Sequence, residues 1–282
     1  MLTRCQEIER TIIKNYRKEL WSKFVKAIDE YQLVKENDVI GVCISGGKDS
    51  MLMAKLFQEL KRHSDYKFDV KFIVMNPGYN DANLDLIKKN LATLEIPAQI
   101  VKTDIFEIAN NQTENPCYLC ARMRRGYLYT IAESLGCNKI AVGHHYDDVI
   151  ETTLMNMLNS GSFQTMLPKL HSTNHIGMEL IRPLYLIREN DIIKWASKNE
   201  LKFIQCACKF TERVHNNNDE LKSQRLETKK LIQELISYNP LVEKNIFKCA
   251  CNINMDMILG YKKDGISHSF LETYETKGEK NE

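Results

Sequence analysis

The chain has 282 residues, a formal net charge of +2, and 43% hydrophobic and 27% charged residues. This composition is typical of a globular protein with one large domain or a domain and a smaller appendage. No apolar run is long enough to span a bilayer and the N-terminal segment lacks the apolar core of a signal peptide, so we expect no membrane association and a cytoplasmic location. The small net charge neither requires nor excludes a nucleic-acid partner.

Strands and helices alternate along the predicted chain. Residues 4–32 carry apolar side chains at four-residue spacing and predict a long N-terminal helix. The expected strands are 39–44, 68–75, 98–102, 139–145 and 180–184, and the expected later helices are 51–60, 83–94, 122–135, 146–157, 188–199 and 220–236. Residues 104–116 and 159–177 are rich in polar or turn-forming residues and predict irregular loops.

This alternation indicates an α/β fold with a doubly wound, mostly parallel sheet. We expect an N-terminal helical region (1–35), the α/β domain (36–210), a small helical C-terminal region (211–272) and a disordered charged tail (273–282).

A glycine-bearing turn joins the first strand to a helix and has the sequence Ser45-Gly46-Gly47-Lys48-Asp49-Ser50. Such a turn directs backbone N–H groups into one space at the positive end of a helix dipole, and Lys48 adds a point charge. The sequence therefore predicts a phosphate cradle. Its spacing excludes the P-loop motif, and it resembles the PP-loop of ATP pyrophosphatases, which cleave ATP between the α- and β-phosphates.

Other strand ends are expected to face the same crevice, because ligands bind at the carboxyl ends of the strands in open α/β sheets. Met75 ends the second strand and is placed to hold adenine through its backbone, and Gly143 ends the fourth. Asp147, Asp148 and Glu151 follow, and their carboxylates are candidates to hold Mg²⁺ on the phosphates or to move a proton. A capping role at a helix start accounts for one of these acids.

A second cluster of chemistry-bearing residues is the Cys117-x-x-Cys120 pair at the start of a helix. The helix N-terminus and the neighbouring arginines favour thiolates, which are the form that binds metals. From spacing alone, zinc, an iron–sulfur cluster and a dithiol redox pair all remain open. The candidates for further ligands are Cys206, Cys208, Cys249 and Cys251, whereas Cys5, Cys43 and Cys137 have the pattern of isolated core residues.

The order of motifs along the chain resembles the TtcA-type tRNA 2-thiocytidine synthetases, within the TtcA/TtuA group of tRNA thiolation enzymes. The motifs are the PP-loop, Cys117-Tyr118-Leu119-Cys120-Ala121-Arg122-Met123-Arg124-Arg125-Gly126, Gly143-His144-His145-Tyr146-Asp147-Asp148-Val149-Ile150-Glu151-Thr152, Met166-Leu167-Pro168-Lys169-Leu170 and Leu180-Ile181-Arg182-Pro183-Leu184. The resemblance covers roughly residues 20–270. It implies a PP-loop enzyme that holds a [4Fe-4S] cluster by three cysteines, uses ATP to adenylate the C2 oxygen of cytidine 32 in the tRNA anticodon loop, and replaces AMP by cluster-bound sulfur.

Carried over residue by residue, the resemblance makes Cys117 and Cys120 cluster ligands and places Arg124 and Asp148 at the reacting centre, beside Lys48 and Asp49. The third ligand is Cys206 or Cys208, and a departure from the family pattern, Gln205-Cys206-Ala207-Cys208-Lys209, leaves that choice open.

The implied partners are tRNA and a sulfur donor, either a cysteine desulfurase or sulfide, with a homodimer as a possible assembly. The best local patch for RNA is Arg122, Arg124 and Arg125, with further basic residues on the first helix and at 222–225. Three alternatives stay open: 2-thiolation of a tRNA uridine as in the TtuA branch, a tRNA amine ligase resembling lysidine synthetase, and a noncatalytic nucleotide- and metal-binding sensor.

Overall fold

The computed structural model describes residues 2–110, 116–204 and 224–274. Its centre is a six-stranded sheet made of β1 (Val39–Ile44), β2 (Asp69–Asn76), β3 (Ala98–Lys102), β4 (Lys139–Ala141), β5 (Lys169–His171) and β6 (Glu179–Ile181). The strand order is β3-β2-β1-β4-β6-β5, and only the β5–β6 pair is antiparallel. The predicted α/β fold with a mostly parallel sheet is confirmed.

Helices cover the sheet and extend the chain at both ends. They are α1 (Arg4–Arg10), α2 (Ser22–Glu30), α3 (Lys48–His63), α4 (Asp81–Thr93), α5 (Ile105–Asn110), α6 (Pro116–Ser134), α7 (Tyr146–Ser160), α8 (Glu189–Lys198), α9 (Gln224–Tyr238) and α10 (Val242–Cys249). Among the described residues, no helix combines the length and the apolar character needed to cross a bilayer.

The N-terminal helical region is not a uniform α-helix, and this explains its four-residue apolar spacing. Two π-helical turns, Thr11–Asn15 and Arg17–Trp21, lie between α1 and α2. An α-helix has about 3.6 residues per turn, so a four-residue repeat would drift around it, and the wider π turns absorb that drift. The side chains that the repeat places on the core are buried: Ile8, Ile12, Leu20, Phe24 and Ile28.

A buried polar cluster attaches this region to the sheet. The Lys55 ammonium on α3 is fully buried and donates to Glu9 Oε1 at 2.6 Å and to the Leu94 carbonyl oxygen at 2.9 Å. Cys5 Sγ lies 3.3 Å from the same ammonium. Cys5 is therefore a buried packing residue, as are Cys43 and Cys137.

Five local predictions were wrong. The strand predicted at 180–184 ends at Ile181. Residues 104–116 include α5, because Ile105 and Phe106 are buried against the core. The fourth strand stops at Ala141, since the chain turns through Gly143 to the α7 cap at His145. The predicted 159–177 loop contains β5. The C-terminal part continues past α10 into an unpredicted hairpin, β7 (Gly260–Lys263) and β8 (Ile266–Ser269).

Candidate active site

The PP-loop turn lies between the end of β1 and the start of α3 and has one backbone geometry that requires glycine. Gly46 has φ +86°, and a Cβ there would lie 2.7 Å from Ile87 Cγ1 and 2.8 Å from Ile204 Cδ1. The Ser45 N–H donates to Ser50 Oγ at 3.1 Å, and that hydroxyl donates to the Gly47 carbonyl oxygen at 3.0 Å. These bonds hold the turn at the N-terminus of α3, which favours an anion.

Lys48 and Asp49 open α3 and carry the charges of the turn. Lys48 Nζ donates to Asp49 Oδ2 at 3.2 Å and to Glu189 Oε1 at 3.0 Å. Burial alone would lower the pKa of Lys48, but Asp49 and Glu189 together raise it. Burial raises the pKa of Asp49, and its Oδ1 atom has no hydrogen-bond partner among the described residues. The ammonium is therefore charged, and one buried Asp49 oxygen is left without a hydrogen bond within the described residues.

The start of α7 brings two predicted acids to the same edge of the sheet, but they have different surroundings. His145 caps the helix: it accepts from the Asp148 N–H through Nδ1 at 3.4 Å, and its own N–H donates to Asp148 Oδ2 at 2.9 Å. The two Asp147 oxygens accept from Arg188 Nε at 3.2 Å and from the Glu189 N–H at 2.7 Å. Asp147 thus fixes the start of α8, and its nucleotide-binding role stays a prediction.

Two cavities meet at the PP-loop. The first, which we call the β4 cavity, has a volume of about 640 Å³, and its lining includes Ser50, Met75, Gly143, His144, Asp148 and Arg182. The second, the α8 cavity, has a volume of about 1150 Å³, and its lining includes Gly47, Tyr79, Phe106, Ile193, Phe203 and Ile204. Both cavities are lined by Ser45, Lys48, Asp49, Arg124 and Glu189. Pockets for small ligands usually measure about 300–1,000 Å³, so the β4 cavity has the size of a cofactor site.

Basic side chains of α9 neutralise the acids around this junction. Lys229 Nζ donates to Glu189 Oε2 at 2.5 Å. Arg225 lies 3.3 Å from Asp148 Oδ1 and 3.5 Å from Glu151 Oε2. Burial would raise the pKa of Glu189, but the hydrogen bonds from Lys229 and Lys48 hold it at about 2. The C-terminal region therefore contributes directly to the charge balance of the site.

The predicted metal ligands are only partly within the described residues. Cys117 and Cys120 lie on the first turns of α6, three residues apart in the sequence. Cys120 is half-buried. Burial raises the pKa of Tyr79, with Arg124 opposing and Cys120 adding to the shift, and the Tyr79 hydroxyl donates to the Ser45 carbonyl oxygen at 3.1 Å. Cys206 and Cys208 lie outside the described residues. No group of three metal-ligating side chains occurs in the described part of the chain.

The structure thus gathers most of the predicted site residues at one place. Eight of them line the β4 cavity: Ser45, Lys48, Asp49, Ser50, Met75, Arg124, Gly143 and Asp148. Gly46 and Gly47 supply the turn itself. Sequence reasoning missed Arg182, Glu189 and Lys229. Arg182 lies in one of the quoted motifs, which is a signal that could have identified it, whereas Glu189 and Lys229 reach the site only through the tertiary packing of α8 and α9.

Comparison with known proteins places the chain in a family. Residues 16–218 match the PP-loop domain. The tRNA-cytidine(32) 2-sulfurtransferase of Citrifermentans bemidjiense is 34% identical over 232 residues, which are 81% of this chain and 88% of that protein. The enzyme of the same name from Coxiella burnetii is 34% identical over 255 residues, covering 88% of this chain and 95% of that protein.

A solved structure gives the same fold. The U34-tRNA thiolase NcsA from Methanococcus maripaludis, solved with its [4Fe-4S] cluster, superposes with a TM-score of 0.63 at 22% sequence identity, covering 89% of this chain and 80% of that chain. This likeness supports the fold, and the sequence relatives define the family. The chain belongs to the PP-loop proteins and, within them, to the family of the tRNA-cytidine(32) 2-sulfurtransferases.

Proposed function

We propose that this protein is an ATP-dependent tRNA sulfurtransferase that 2-thiolates cytidine 32 of the anticodon loop. The observation that carries the proposal is the junction at Lys48, where a phosphate cradle opens both to the β4 cavity and to the α8 cavity. A reaction that first activates a base with ATP and then delivers sulfur needs two such approaches to one centre. The relatives of the same family carry this activity in their names.

ATP fits the β4 cavity with its phosphates on the PP-loop. The turn presents backbone N–H groups and the Lys48 ammonium, and Gly46 keeps the turn in this shape because a Cβ there would collide with Ile87 and Ile204. Met75 and Gly143 also line the cavity and leave backbone atoms for the adenine and ribose. Asp49 and Asp148 supply carboxylates, the ligand type that Mg²⁺ prefers in proteins.

Sulfur is proposed to approach the reacting centre from the α8 cavity. Arg124 lies four residues after Cys120 on α6 and lines both cavities, so its guanidinium is placed to stabilise charge that develops on the transferring phosphoryl group. Phe203 and Ile204 also line this cavity, and Cys206 follows two residues later in the sequence. A [4Fe-4S] cluster held by Cys117, Cys120 and Cys206 or Cys208 would supply the sulfur nucleophile that displaces AMP.

Three further expectations belong to this proposal. The sulfur donor is a cysteine desulfurase or sulfide, the enzyme acts in the cytoplasm, and it forms a homodimer. The domain limits at residues 36, 211 and 273 also stay predictions, and the PP-loop match over 16–218 supports an α/β domain that includes much of the N-terminal helical region.

The test of the function is genetic and chemical. The gene is deleted in its host, and nucleosides from bulk tRNA are separated and identified by mass. We expect 2-thiocytidine to disappear, to return with the wild-type gene, and to stay absent with Cys117→Ser. Unchanged 2-thiocytidine in the deletion strain would contradict the proposal, and loss of a thiouridine instead would favour the uridine branch.

A further inference from the structure

Arg182 is a buried cation that makes no ion pair with any of the described residues. It follows β6 directly, only 9% of its surface is exposed, and it lines the β4 cavity. One guanidinium nitrogen donates to the Leu167 carbonyl oxygen, whereas Nε has no hydrogen-bond partner among the described residues. Within that same part of the chain, no carboxylate lies in ion-pair distance of the group. Its charge and its Nε donor are therefore unsatisfied in the absence of a ligand.

Holding such a group in the interior is unfavourable, because a buried charge that is neither paired nor fully hydrogen bonded loses its hydration without compensation. The same environment affects its titration: burial, with a smaller contribution from Arg125, lowers the pKa of Arg182 to about 10, although Tyr185, Tyr129 and Asp148 oppose the shift. A second buried atom on the same wall, His144 Nδ1, also has no partner among the described residues. Two orphaned polar groups in one cavity wall indicate a ligand that completes them.

The position of this wall separates it from the phosphate cradle. In the sheet, β6 is adjacent to β4 and β4 is adjacent to β1, which leads into the PP-loop. Neighbouring strands are about 4.8 Å apart, so the β6 end lies roughly 10 Å from the cradle. Met75 is on the other side of β1, at the end of β2. A nucleotide that extends from the cradle toward Met75 leaves the Arg182 wall to the second substrate.

We propose that Arg182 reads the acceptor base, donating two parallel hydrogen bonds to the adjacent N3 and O2 acceptors of a cytosine. This inference rests on the proposed function and adds the residue that recognises the base. The planar guanidinium presents paired donors that suit two neighbouring acceptors, as in its contacts with carboxylates. Uracil has an N3–H donor in place of the N3 acceptor, so its N3–H would face a guanidinium N–H of Arg182 and no hydrogen bond would form there. Arg182 therefore selects cytosine over uracil.

The contact is compatible with activation at the same oxygen. A carbonyl oxygen has two lone pairs. The lone pair on the N3 side accepts from Arg182, and the other faces the PP-loop, from which the α-phosphate approaches. A target base in an RNA loop is reached in this way only after it leaves its stack, which is the usual mode of sequence-specific RNA recognition.

The experiment compares tRNA carrying cytidine with tRNA carrying 3-deazacytidine at position 32, using the purified protein with its cluster assembled without oxygen. The probe lacks only the N3 acceptor. We expect wild type to consume ATP with the deaza tRNA about tenfold to hundredfold more slowly, which is the discrimination typical of one bidentate contact. Arg182→Met should be slowed by a similar factor with cytidine and show little further loss with 3-deazacytidine.

Controls separate base reading from a folding defect and from failure of the proposed function. Arg182→Lys retains the charge without the paired donors. It should keep the ATP affinity and the urea midpoint of wild type, but its rate of ATP consumption should fall nearly as much as that of Arg182→Met. Arg62 lies at the end of α3 that is far from the PP-loop, so Arg62→Met should leave the rates with both tRNAs unchanged. Equal wild-type rates with both tRNAs would overturn the proposal that Arg182 recognises the base. So would rate losses from Arg182→Met and from 3-deazacytidine that simply add, and either result would favour a backbone phosphate as the ligand of Arg182. No thiolation of unmodified tRNA by wild type would instead contradict the proposed function.

Discussion

The Lys48 ammonium and the Glu189 carboxylate lie 3.0 Å apart where the β4 cavity meets the α8 cavity. Glu189 also accepts from Lys229 on α9, so one carboxylate joins the PP-loop to the C-terminal region. A phosphate that binds Lys48 must compete with this carboxylate. The pair therefore sets the affinity of the cradle for its anion.

Replacing Glu189 by Gln should tighten ATP binding, because the substitution removes a negative charge beside the phosphate site. The pair is partly exposed, so the effect is screened, and we expect a gain of about threefold to fivefold. Calorimetry with a nonhydrolysable ATP analogue measures it. Lys229→Met leaves Glu189 without its second cation and should shift the affinity in the opposite direction. A loss of affinity in Glu189→Gln would show that Glu189 holds a ligand and does not compete with one.

Replacing Lys48 by Met should lower the rate of AMP formation by at least about hundredfold, the usual effect of removing one charge-stabilising donor from a reacting centre. Lys61→Met is the matched control on the same helix, because the Lys61 ammonium pairs with Asp69 away from the PP-loop. The control should keep the wild-type rate. Comparable rates for Lys48→Met and wild type would remove Lys48 from the catalytic set.

Two glycines should respond to alanine substitution with opposite changes in stability. Gly46→Ala forces a side chain into a positive φ and against Ile87 and Ile204, and should destabilise the fold by about 1–3 kcal/mol. Gly126 lies inside α6, and a Cβ there would meet no neighbouring atom within 4 Å, so Gly126→Ala should stabilise the fold by about 0.5–1 kcal/mol. Urea unfolding measures both. A neutral Gly46→Ala would mean that the turn relaxes without cost.

His144 should make stability depend on pH. Burial lowers its pKa to about 4 from an ordinary value of 6.5, with Asp148 opposing and Arg182 and Arg225 adding to the shift. The unfolded chain then binds the proton more readily than the folded one, so this contribution is complete above pH 6.5 and is lost as the pH falls toward 4.

Urea unfolding at about pH 5 and about pH 7.5, on either side of the ordinary histidine pKa, tests this assignment. The drop in stability between the two values should be smaller in His144→Gln than in wild type. The exposed His63 is the control, and His63→Gln should keep the wild-type drop. An unchanged drop in His144→Gln would mean that other groups carry the pH dependence.

The parts of the fold and site that are encoded locally could be predicted from the sequence. Strand β3 has the predicted bounds, and the PP-loop turn follows from its glycines and the buried strand before it. By contrast, the contacts around the site join residues that are far apart in the sequence. Glu189 meets Lys48 across 141 residues, Lys229 meets Glu189 across 40, and Arg225 meets Asp148 across 77, so no local sequence pattern predicts them. The sequence assigns Arg225 to an RNA-facing patch, but in the structure it pairs with Asp148 and Glu151.

The π turns and the C-terminal hairpin were missed for a related reason. A four-residue apolar repeat does not specify where a helix widens into π turns. The widening is recognised only from the structure, in which Ile8 and Ile28 are buried in the same hydrophobic core. No side chain of β7 or β8 is buried, so the hairpin lacks the alternating pattern by which strands are recognised.

Cluster-dependent thiolation is tested most directly by reconstituting the protein without oxygen and measuring 2-thiocytidine at position 32 of a defined tRNA, with ATP and sulfide supplied. We expect brown protein, one AMP released per thiolated base, and loss of both the colour and the product in Cys117→Ser and Cys120→Ser. The exposed Cys251 gives the control, and Cys251→Ser should keep both. Full thiolation by a colourless protein, or by Cys117→Ser, would contradict cluster-dependent sulfur transfer.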